Sequence, residues 1–479
     1  MTARQPIVAI LGHVDHGKTT LLDYIRKAHV ADKEAGGITQ SIGAYQAEFK
    51  GKLLTFIDTP GHAAFSKMRS RGATVADIVV LVVAADDSVQ PQTIESIKHI
   101  KTSGVPFVVA INKVDKPDAQ VEVVKAELTQ HEVFVEGYGG NTPFVLISGK
   151  KGTGVDTLLE TILLLAELEE IKYDDTAKLS AIVIEAKLDP KKGVLVSSIV
   201  KEGILKLGDI VSTSNATCKV RALYSDSGVS IKQASPGMPV QILGFQTLPF
   251  VGDVIAPGSF ELVQVSKENV PAIIADPSIK RLNIVVKADT AGSLEAILGS
   301  FTSDVYIVSS GTGDITESDV LLASTTSSII LGFNVKVSSS VAKLAEAEEV
   351  IIKAHKIIYE LLEYIEKKVL KLMEPSIDED ELGTAIVLKV FDINGDHIAG
   401  SSIQTGLFEV GYTIHLKRGD VVKDARVRSI RIGKDEVKKV EAGKECGIFL
   451  SPNLDVREKD VIIAYKKKVD DIWTTNYKN

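Results

Sequence analysis

The sequence predicts a multidomain fold of the α/β class with added β-barrels, and three observations lead to this prediction. Strands and helices alternate up to about residue 172, which is typical of a parallel sheet covered on both faces. Short strands separated by turns then fill residues 179–262, as in a small β-barrel. The same pattern of turns and strands returns near the C-terminus, which predicts a second barrel there.

Five parts follow from these patterns. They are an α/β domain at 1–172, a β-barrel at 179–262, a small α/β/α domain at 281–355, a long linker helix at 356–374 and a C-terminal β-barrel at 382–466. In the first domain, the spacing of apolar residues predicts helices at Ala63 to Ala73, Gln92 to Ser103, Val121 to Gln130 and Gly154 to Ile171.

An internal repeat relates the two predicted barrels. The stretch Gly406 to Ile414 repeats the pattern of Gly203 to Val211, at an offset of 203 residues (406 minus 203). The stretch that begins at Gly443 repeats the one that begins at Gly237, at an offset of 206 residues (443 minus 237). Because the offset is nearly constant, duplication is favoured over a chance similarity of turns and strands.

The linker helix is predicted from Ile358 to Met373, where apolar residues recur at spacings of three and four. Before it, the small α/β/α domain is predicted from alternating elements. Its strands are Leu282 to Val286, Val305 to Ser309 and Ser328 to Gly332, and its helices are Gly292 to Ser300 and Glu317 to Ser324.

The composition excludes several classes of protein. Of 479 residues, 44% are hydrophobic and 25% are charged, so folded domains can bury cores. The formal net charge of −8 argues against a generally basic surface, although local patches can still bind RNA. Two cysteines indicate a reducing compartment and no disulfide framework. Without an N-terminal signal or a membrane-spanning apolar run, we expect a cytoplasmic protein with no membrane contact.

A phosphate-binding loop is predicted at residues 12–19, which fit G-x-x-x-x-G-K-[ST] between a buried strand and a helix. The glycines let successive N–H groups point at phosphate oxygens. Lys18 is expected to reach the β- and γ-phosphates, and the Thr19 hydroxyl to bind Mg²⁺. The alternative, a Gly-rich turn with a chance lysine, does not explain the flanking elements. The predicted phosphate-binding residues are Gly12, His13, Val14, Asp15, His16, Gly17, Lys18, Thr19, Thr20 and Gly61.

The nucleotide base is predicted to be guanine. Residues 112–115 form N-K-x-D after an apolar run, and the Asp115 carboxylate can accept from N1–H and N2–H₂ of guanine. Adenine lacks both donors and would leave a buried carboxylate unpaired. Residues 148–150 are expected to close the pocket, with Gly149 where alanine is usual. The predicted guanine-binding residues are Asn112, Lys113, Asp115, Ser148, Gly149 and Lys150.

Two segments between these motifs are predicted to sense the γ-phosphate. Asp58 is expected to hold Mg²⁺ through water, and Thr39, after a flexible Gly-rich stretch, to complete the metal site with Thr19. The Gly61 N–H is expected to contact the γ-phosphate, and segments released on hydrolysis form a conformational switch. His62 stands where other GTPases carry the glutamine that orients the attacking water, so it is the predicted catalytic residue. The alternative is a surface histidine in a turn.

These motifs resemble those of bacterial translation initiation factor two, a translational GTPase; the archaeal and eukaryotic counterpart is a more distant match. The stretches that carry the resemblance are Gly12 to Thr20, Gly36 to Gly43, Asp58 to Met68, Ala84 to Thr93, Leu282 to Asp289, Ile315 to Val320 and Glu445 to Ile448. They cover nearly the whole chain, and we expect a short form of the family without N-terminal extensions. The resemblance implies Mg²⁺ with bound GTP or GDP. It also favours a linker helix that spaces the last barrel from the rest over one packed on its own domain.

The resemblance further implies that the C-terminal barrel holds the formylated methionine and acceptor end of initiator tRNA. The residues that match this site are Arg431, Lys434, Glu445, Cys446 and Gly447. By itself, Cys446 could equally be a small buried core residue. The departures from the family pattern are Ser401 in place of a cysteine, and Ile432 and Gly433 in place of an arginine and an aromatic residue. They keep tRNA binding as the expectation and leave selectivity for the formyl group open.

The resemblance implies an initiation factor that brings formylmethionyl initiator tRNA to the small ribosomal subunit, promotes subunit joining and hydrolyses GTP on the ribosome. The expected partners are both ribosomal subunits with their rRNA, and other initiation factors. The protein itself is expected to be a monomer. An elongation-type factor carrying aminoacyl-tRNA is a second interpretation, which the α/β/α domain between two barrels disfavours. A metabolic P-loop kinase or ATPase is a third, which the guanine motif at 112–115 disfavours.

Overall fold

The computed structural model describes residues 2–27, 38–174, 176–258, 281–373, 379–393, 396–418, 421–433 and 435–467. The chain divides into two compact units, Met1–Glu366 and Lys367–Asn479, and the boundary falls within the last helix. The first unit holds two α/β sheets and one barrel, and the second holds another barrel. The fold class predicted from the sequence is therefore confirmed. No helix in the described ranges has both the length and the apolar character needed to cross a membrane.

The first domain is built on a mainly parallel sheet. Its elements are β1 (Thr2–Ala3), β2 (Ile7–Gly12), α1 (Lys18–Arg26), β3 (Gly43–Phe49), β4 (Lys52–Asp58), α2 (Ser66–Val75), β5 (Ile78–Ala84), α3 (Pro91–Ser103), β6 (Phe107–Asn112), α4 (Val121–Gln130), β7 (Phe144–Leu146), α5 (Val155–Leu168) and β8 (Lys172–Tyr173). Six strands pair in the order β3-β4-β2-β5-β6-β7, and only the β3–β4 pair is antiparallel. The C-terminal ends of β2, β4 and β6 therefore meet at one edge, which brings Gly12, Asp58 and Asn112 together.

Two helices of this domain differ from their predicted bounds by more than one residue at an end. The helix predicted at Ala63 to Ala73 begins as a short 3₁₀ turn, Ala63–Phe65, in which the side chain of His62 accepts from Ala64 N, and α2 starts only at Ser66. The helix predicted to end at Ile171 ends at Leu168, because Glu170 takes a left-handed φ of 46° and β8 leaves to pair with β1.

The next part is a closed barrel. Its strands are β9 (Ser180–Asp189), β10 (Gly193–Glu202), β11 (Leu205–Lys206), β12 (Ile210–Ser212), β13 (Thr217–Tyr224), β14 (Ser230–Ile231), β15 (Gln233–Ala234), β16 (Pro239–Phe245) and β17 (Val254–Pro257). Six strands follow the circular order β12-β17-β9-β10-β16-β13, and the β12–β13 pairing closes the ring. Alternate residues of these strands point inward, so Val183, Val196 and Ile242 are fully buried in one core.

The α/β/α domain follows, and it leads into the linker helix. Its elements are β18 (Leu282–Ala288), α6 (Ala291–Gly299), β19 (Val305–Thr312), α7 (Glu317–Thr326), β20 (Ile329–Phe333), α8 (Ser339–Ala347) and β21 (Ile352–His355), and the linker helix is α9 (Ile358–Met373). The four strands are parallel in the order β19-β18-β20-β21. The structure adds α8 and β21 to the predicted elements.

The second barrel repeats the topology of the first. Its strands are β22 (Glu379–Ile393), β23 (Asp396–Glu409), β24 (Thr413–Arg418), β25 (Val421–Ile432), β26 (Asp435–Val437), β27 (Lys439–Glu441), β28 (Glu445–Ser451) and β29 (Val461–Lys467). Six of them follow the circular order β24-β29-β22-β23-β28-β25, strand for strand as in the first ring. Equivalent glycines also share their conformation, since Gly203 and Gly406 both have φ 67° and Gly237 and Gly443 have φ 84° and 85°. The repeat predicted from the sequence is thus a repeat of structure.

A buried carboxylate joins the first barrel to the α/β/α domain. Glu185 in β9 is 6% exposed, and its Oε1 accepts from the backbone N–H groups of Ala186 and of Gly292 in α6, both at 2.9 Å. Burial raises the pKa of Glu185 to about 7 despite these hydrogen bonds, and the carboxylate of Asp289 adds to the rise. The junction therefore contains an acid that titrates near neutral pH.

The wild-type protein should lose stability as the pH rises, because the buried Glu185 must then give up its proton. We expect Glu185→Gln to abolish this loss. Between about pH 4.5 and 7 the folded protein keeps the Glu185 proton while the unfolded chain releases it, so the free energy of unfolding falls across this window and stays low above it. At about 1.4 kcal/mol per pH unit the effect is on the order of 3 kcal/mol. The measurement is the difference in Tm between variant and wild type at pH 5 and pH 8. Glu202→Gln, at an exposed position of the same barrel, is the control, and a pH-independent difference for Glu185→Gln would contradict the prediction.

Candidate functional site

The predicted phosphate loop lies at the C-terminal end of the buried strand β2 and leads directly into α1. Gly12 has φ 147° and Gly17 has φ 84°, values that favour glycine. A Cβ on Gly12 would lie 2.3 Å from the Val82 carbonyl oxygen, and one on Gly17 would lie 2.4 Å from Asn112 Nδ2. Backbone conformation and packing therefore both require glycine at these two positions.

Lys18 is the buried cation of the loop. It is 6% exposed, and its Nζ donates to the carbonyl oxygen of His13 at 2.5 Å. Burial lowers the pKa of Lys18 to about 8, while the carboxylate of Asp58 acts in the opposite direction. An anion in the loop would stabilise this poorly solvated ammonium, and the N-terminus of α1 adds partial positive charge. The local chemistry suits a phosphate group.

Three side-chain oxygens converge beside Lys18, as the metal prediction requires. Thr19 Oγ1 lies 2.8 Å from Thr39 Oγ1, which donates to Asp58 Oδ2 at 3.3 Å. Burial raises the pKa of Asp58 to about 6 against the attraction of Lys18, and Asp58 Oδ1 is buried without a hydrogen-bond partner among the described residues. A hard cation would satisfy this oxygen, and hydroxyl and carboxylate oxygens are ligands that Mg²⁺ prefers.

These side chains alone would not complete the shell of a metal ion. Within the described ranges, no group of three or more His, Cys, Asp or Glu side chains could hold a metal. Mg²⁺ commonly takes one or two protein oxygens and fills its shell with water and substrate phosphates. The oxygen cluster at Thr19, Thr39 and Asp58 fits that mode of binding.

One cavity of about 410 Å³ connects the four predicted motifs. Its lining is formed by Val14, Asp15, Gly17, Lys18, Thr19, Thr20, Ile38, Thr39, Gly61, His62, Asn112, Lys113, Asp115, Lys116, Ser148 and Lys150. The residues predicted for the nucleotide and the metal that lie outside this lining are Gly12, His13, His16, Asp58 and Gly149. His16, for example, is fully buried, with ring nitrogens 3.3 Å from the Val82 carbonyl oxygen and 3.2 Å from the Asp87 carboxylate.

Asn112 stabilises the end of the cavity that is predicted to bind the base. Its Nδ2 donates to the carbonyl oxygen of His16 at 2.8 Å, and its Oδ1 accepts from the backbone N–H of Gly149 at 2.9 Å. The side chain thus ties the phosphate loop to the segment 148–150. A Cβ on Gly149 would lie 3.1 Å from Leu21 N, so only a small residue fits there and alanine would need a slight shift.

Asp115 presents a carboxylate to the cavity. A hydrogen bond from the Ser148 hydroxyl lowers the pKa of Asp115, and the ammonium of Lys151, 3.5 Å from Oδ2, acts in the same direction. Lys113 lies beside it, with its Nζ 3.2 Å from the carboxylate of Asp86. The carboxylate of Asp115 is therefore ionised at neutral pH and available as an acceptor for a base.

Gly61 and His62 form the opposite end of the cavity. A Cβ on Gly61 would lie 2.6 Å from Lys18 Nζ and 2.8 Å from Val14 N, so the backbone here passes against the phosphate loop. His62 Nδ1 accepts from Ala64 N at 3.2 Å, and its ring centroid lies 6.0 Å from that of Tyr359 in α9. Burial, and secondarily the charge of Arg69, lower the pKa of His62, which keeps the ring neutral at pH 7.

Sequence reasoning missed two side chains that act on this end. Arg69 in α2 is fully buried and donates to three backbone carbonyl groups of residues 60–62. Gln40, next to Thr39, donates from Nε2 to the Lys356 carbonyl oxygen at 2.7 Å and accepts at Oε1 from Ile358 N at 3.0 Å. Arg69 lies in the predicted helix but carries no motif, and the partners of Gln40 are more than 300 residues away, so no local signal could have identified either contact.

The residues of the predicted tRNA site also lie on neighbouring strands. In the second barrel, Arg431 of β25 pairs with Gly447 of β28, and Cys446 of β28 pairs with Ser401 of β23. Cys446 is 6% exposed and packs in the barrel core, where burial raises its thiol pKa to about 11, as the alternative interpretation expects. Glu445 is exposed, and Lys434 lies outside the described residues. Arg431, whose guanidinium lies 5.2 Å from the Phe449 ring centroid, is the cation of this set within the described residues.

Three family models match successive parts of the chain. They are the Elongation factor Tu GTP binding domain at residues 3–167, Elongation factor G domain 2 at 178–258 and Translation-initiation factor 2 at 260–366. The matches coincide with the first α/β domain, the first barrel and the α/β/α domain with the start of α9.

Curated relatives match almost the whole chain. A protein of Bartonella bacilliformis named "Translation initiation factor IF-2" is 44% identical over 97% of this chain and 59% of its own length. Proteins of the same name from Petrotoga mobilis and Thermosipho africanus are 42% and 44% identical over 97% of this chain and 71% of their own length. The chain thus spans about three-fifths of the first of these relatives. A crystal structure of GDP-bound aIF5B from Aeropyrum pernix matches 96% of this chain and 92% of its own, with 27% identity and a TM-score of 0.48.

Proposed function

The chain belongs to the translation initiation factor IF-2 family, and on that premise we propose that it is a GTPase of translation initiation. The observation that carries the proposal is the single cavity at which the guanine motif, the phosphate loop and the oxygen cluster meet. GTP binds there with its base at Asp115 and its phosphates along the N–H groups of residues 12–20. Thr19, Thr39 and Asp58 would hold Mg²⁺, which would neutralise charge that develops on the phosphates.

The partners follow from the same family membership. We propose that the protein brings formylmethionyl initiator tRNA to the small ribosomal subunit in the cytoplasm and promotes joining of the large subunit. Ribosome contact then stimulates GTP hydrolysis, with His62 as the catalytic residue and Gly61 as the γ-phosphate sensor. Other initiation factors are further partners, and the factor acts as a monomer.

The second barrel is the proposed site for the acceptor end of initiator tRNA. Arg431, Glu445 and Gly447 mark this site among the described residues, Lys434 is assigned to it from the sequence motif alone, and the buried Cys446 and Ser401 shape it from the core side. An elongation-type role is the alternative, and two of the matched domain models carry elongation factor names. Relatives named as initiation factors match 97% of this chain and favour initiation.

The decisive experiment is GTP hydrolysis by the purified protein with and without ribosomes carrying formylmethionyl initiator tRNA. We expect slow turnover alone, strong stimulation by ribosomes, and competition by GDP but not by ATP. ATP hydrolysis without any ribosome effect would instead identify a non-ribosomal P-loop enzyme. Stimulation that requires elongator aminoacyl-tRNA in place of initiator tRNA would favour the elongation alternative.

A further inference from the structure

A fully buried arginine lies directly behind the segment that forms the γ-phosphate end of the cavity. Arg69 projects from α2 and is 0% exposed. One of its terminal nitrogens donates to the carbonyl oxygens of Pro60 and Gly61 at 3.0 Å and of His62 at 2.5 Å. Three consecutive carbonyl groups are thereby directed at one side chain, an arrangement that fixes the orientation of each peptide plane between them.

The direction of these carbonyl groups sets the direction of the N–H groups. In a trans peptide the C=O of one residue and the N–H of the next point in opposite directions. The described peptide bonds are trans apart from the one before Pro452, so the Pro60 carbonyl that faces Arg69 turns the Gly61 N–H away from it. Gly61 and Lys18 both line the cavity, and a Cβ on Gly61 would lie 2.6 Å from Lys18 Nζ.

Arg69 is itself held in place from a second helix. Its other terminal nitrogen donates to the Glu95 carboxylate of α3 at 2.6 Å, and this partner opposes the lowering of the Arg69 pKa by burial. The same helix reaches the phosphate loop, because Gln92 accepts from Val14 N at 3.1 Å. One helix therefore fixes both walls between which a γ-phosphate would lie.

We propose that Arg69 is a positioning residue that aims the Gly61 N–H at the γ-phosphate and so makes the protein distinguish GTP from GDP. The inference rests on the proposed function, since it requires guanine nucleotide in the cavity. Arg69 does not touch the nucleotide; it acts through the backbone of residues 60–62. GDP has no γ-phosphate, so its affinity does not depend on this arrangement, whereas the affinity for GTP does.

Arg69→Lys tests the proposal, because lysine keeps the charge but lacks the planar fork needed to hold Glu95 and the carbonyl groups together. The experiment compares equilibrium binding of GDP and of a non-hydrolysable GTP analogue with a nitrogen bridge between the β- and γ-phosphorus atoms. A lost hydrogen bond to a charged phosphate lowers affinity by roughly 10- to 100-fold. We expect that loss for the analogue, with GDP affinity within about twofold of wild type.

Two further variants make the test specific. Arg71→Lys changes an arginine two residues along the same helix that pairs with Glu295 of α6 at 2.5 Å, and it should leave both affinities unchanged. Glu95→Gln keeps an acceptor for Arg69 but removes its charge partner, and we expect a smaller selective loss of analogue affinity. Glu95→Gln also provides the test of the proposal if Arg69→Lys does not fold.

The outcomes separate this proposal from the proposed function. If Arg69→Lys and Glu95→Gln lose affinity for GDP and analogue by the same factor, or for neither, Arg69 does not position Gly61 and the inference is wrong. If the wild-type protein binds neither guanine nucleotide, the proposed function fails first. Selective loss of the analogue, without any effect of Arg71→Lys, supports both.

Discussion

Asp115→Asn is expected to weaken GTP binding by roughly a hundredfold or more and to make the protein prefer xanthosine triphosphate. The carboxylate of Asp115 is the proposed acceptor for N1–H and N2–H₂ of guanine, and hydrogen bonding from Ser148 lowers its pKa and keeps it ionised. An asparagine amide presents a donor where the second oxygen was. That donor leaves the guanine amino group unpaired but can bond the C2 carbonyl of xanthine.

The measurement is displacement of a bound fluorescent nucleotide by GTP and by xanthosine triphosphate. The fluorescent probe is a guanine nucleotide for the wild type and a xanthine nucleotide for the variant. Asp118→Asn is a matched control, because Asp118 lies three residues along the same loop, is exposed and does not line the cavity. An unchanged preference for GTP in Asp115→Asn would falsify the placement of the base at this residue.

The sequence was informative wherever a structural requirement is local. Spacing and the flanking strand and helix identify Gly12 and Gly17, and both occupy conformations and contacts that only glycine tolerates. The parallel sheet follows from uninterrupted apolar strands such as β5, which is buried along its whole length. Because such a sheet gathers the C-terminal ends of its strands at one edge, motifs far apart in sequence could be expected to share one site.

Contacts between distant parts of the chain could not be predicted. The Oε1 atom of Glu185 accepts from Gly292, 107 residues away, and Gln40 meets the start of α9 more than 300 residues away. Such contacts depend on how whole domains pack, and no periodicity in either segment encodes them. Arg69 was missed for a different reason: its acceptors are backbone carbonyl groups, which every residue carries and no sequence pattern marks.

For the linker helix, the apolar spacing predicts the bounds correctly but does not say which part of the helix packs against a domain. The predicted bounds of α9, Ile358 to Met373, agree with the structure, and the helix is amphipathic as predicted. Ile358, Leu361 and Ile365 are buried within the first compact unit, so this half of the helix packs as core. Leu370, in the other half, is 54% exposed. The first turn lies against Gln40 and His62, the sequence neighbours of Thr39 and Gly61.

His62→Ala is expected to lower the rate of ribosome-stimulated GTP hydrolysis by on the order of a hundredfold while leaving GTP affinity nearly unchanged. In this structure His62 Nδ1 accepts from Ala64 N, so the proton of the neutral ring is on Nε2. That group can donate to the attacking water or to a phosphate oxygen, but it cannot remove a proton from water while the Ala64 contact is kept. The ring also lies near Tyr359 and Phe65, at centroid distances of 6.0 and 6.4 Å, and we expect it to turn toward the γ-phosphate to act.

We expect the ribosome to supply this movement, because a switch that hydrolysed GTP before contact with its partner would lose its signal. A group that contributes mainly in the transition state affects the rate and not the affinity, whereas Lys18 and Thr19 bind ground state and transition state alike and should affect both. The measurement is single-turnover hydrolysis on ribosomes at saturating GTP, with His131→Ala, a histidine at the end of α4 outside the cavity lining, as the control. If His62→Ala hydrolysed GTP at the wild-type rate, the histidine would be a turn residue with a capping role, and the water would have to be oriented by another group of the cavity.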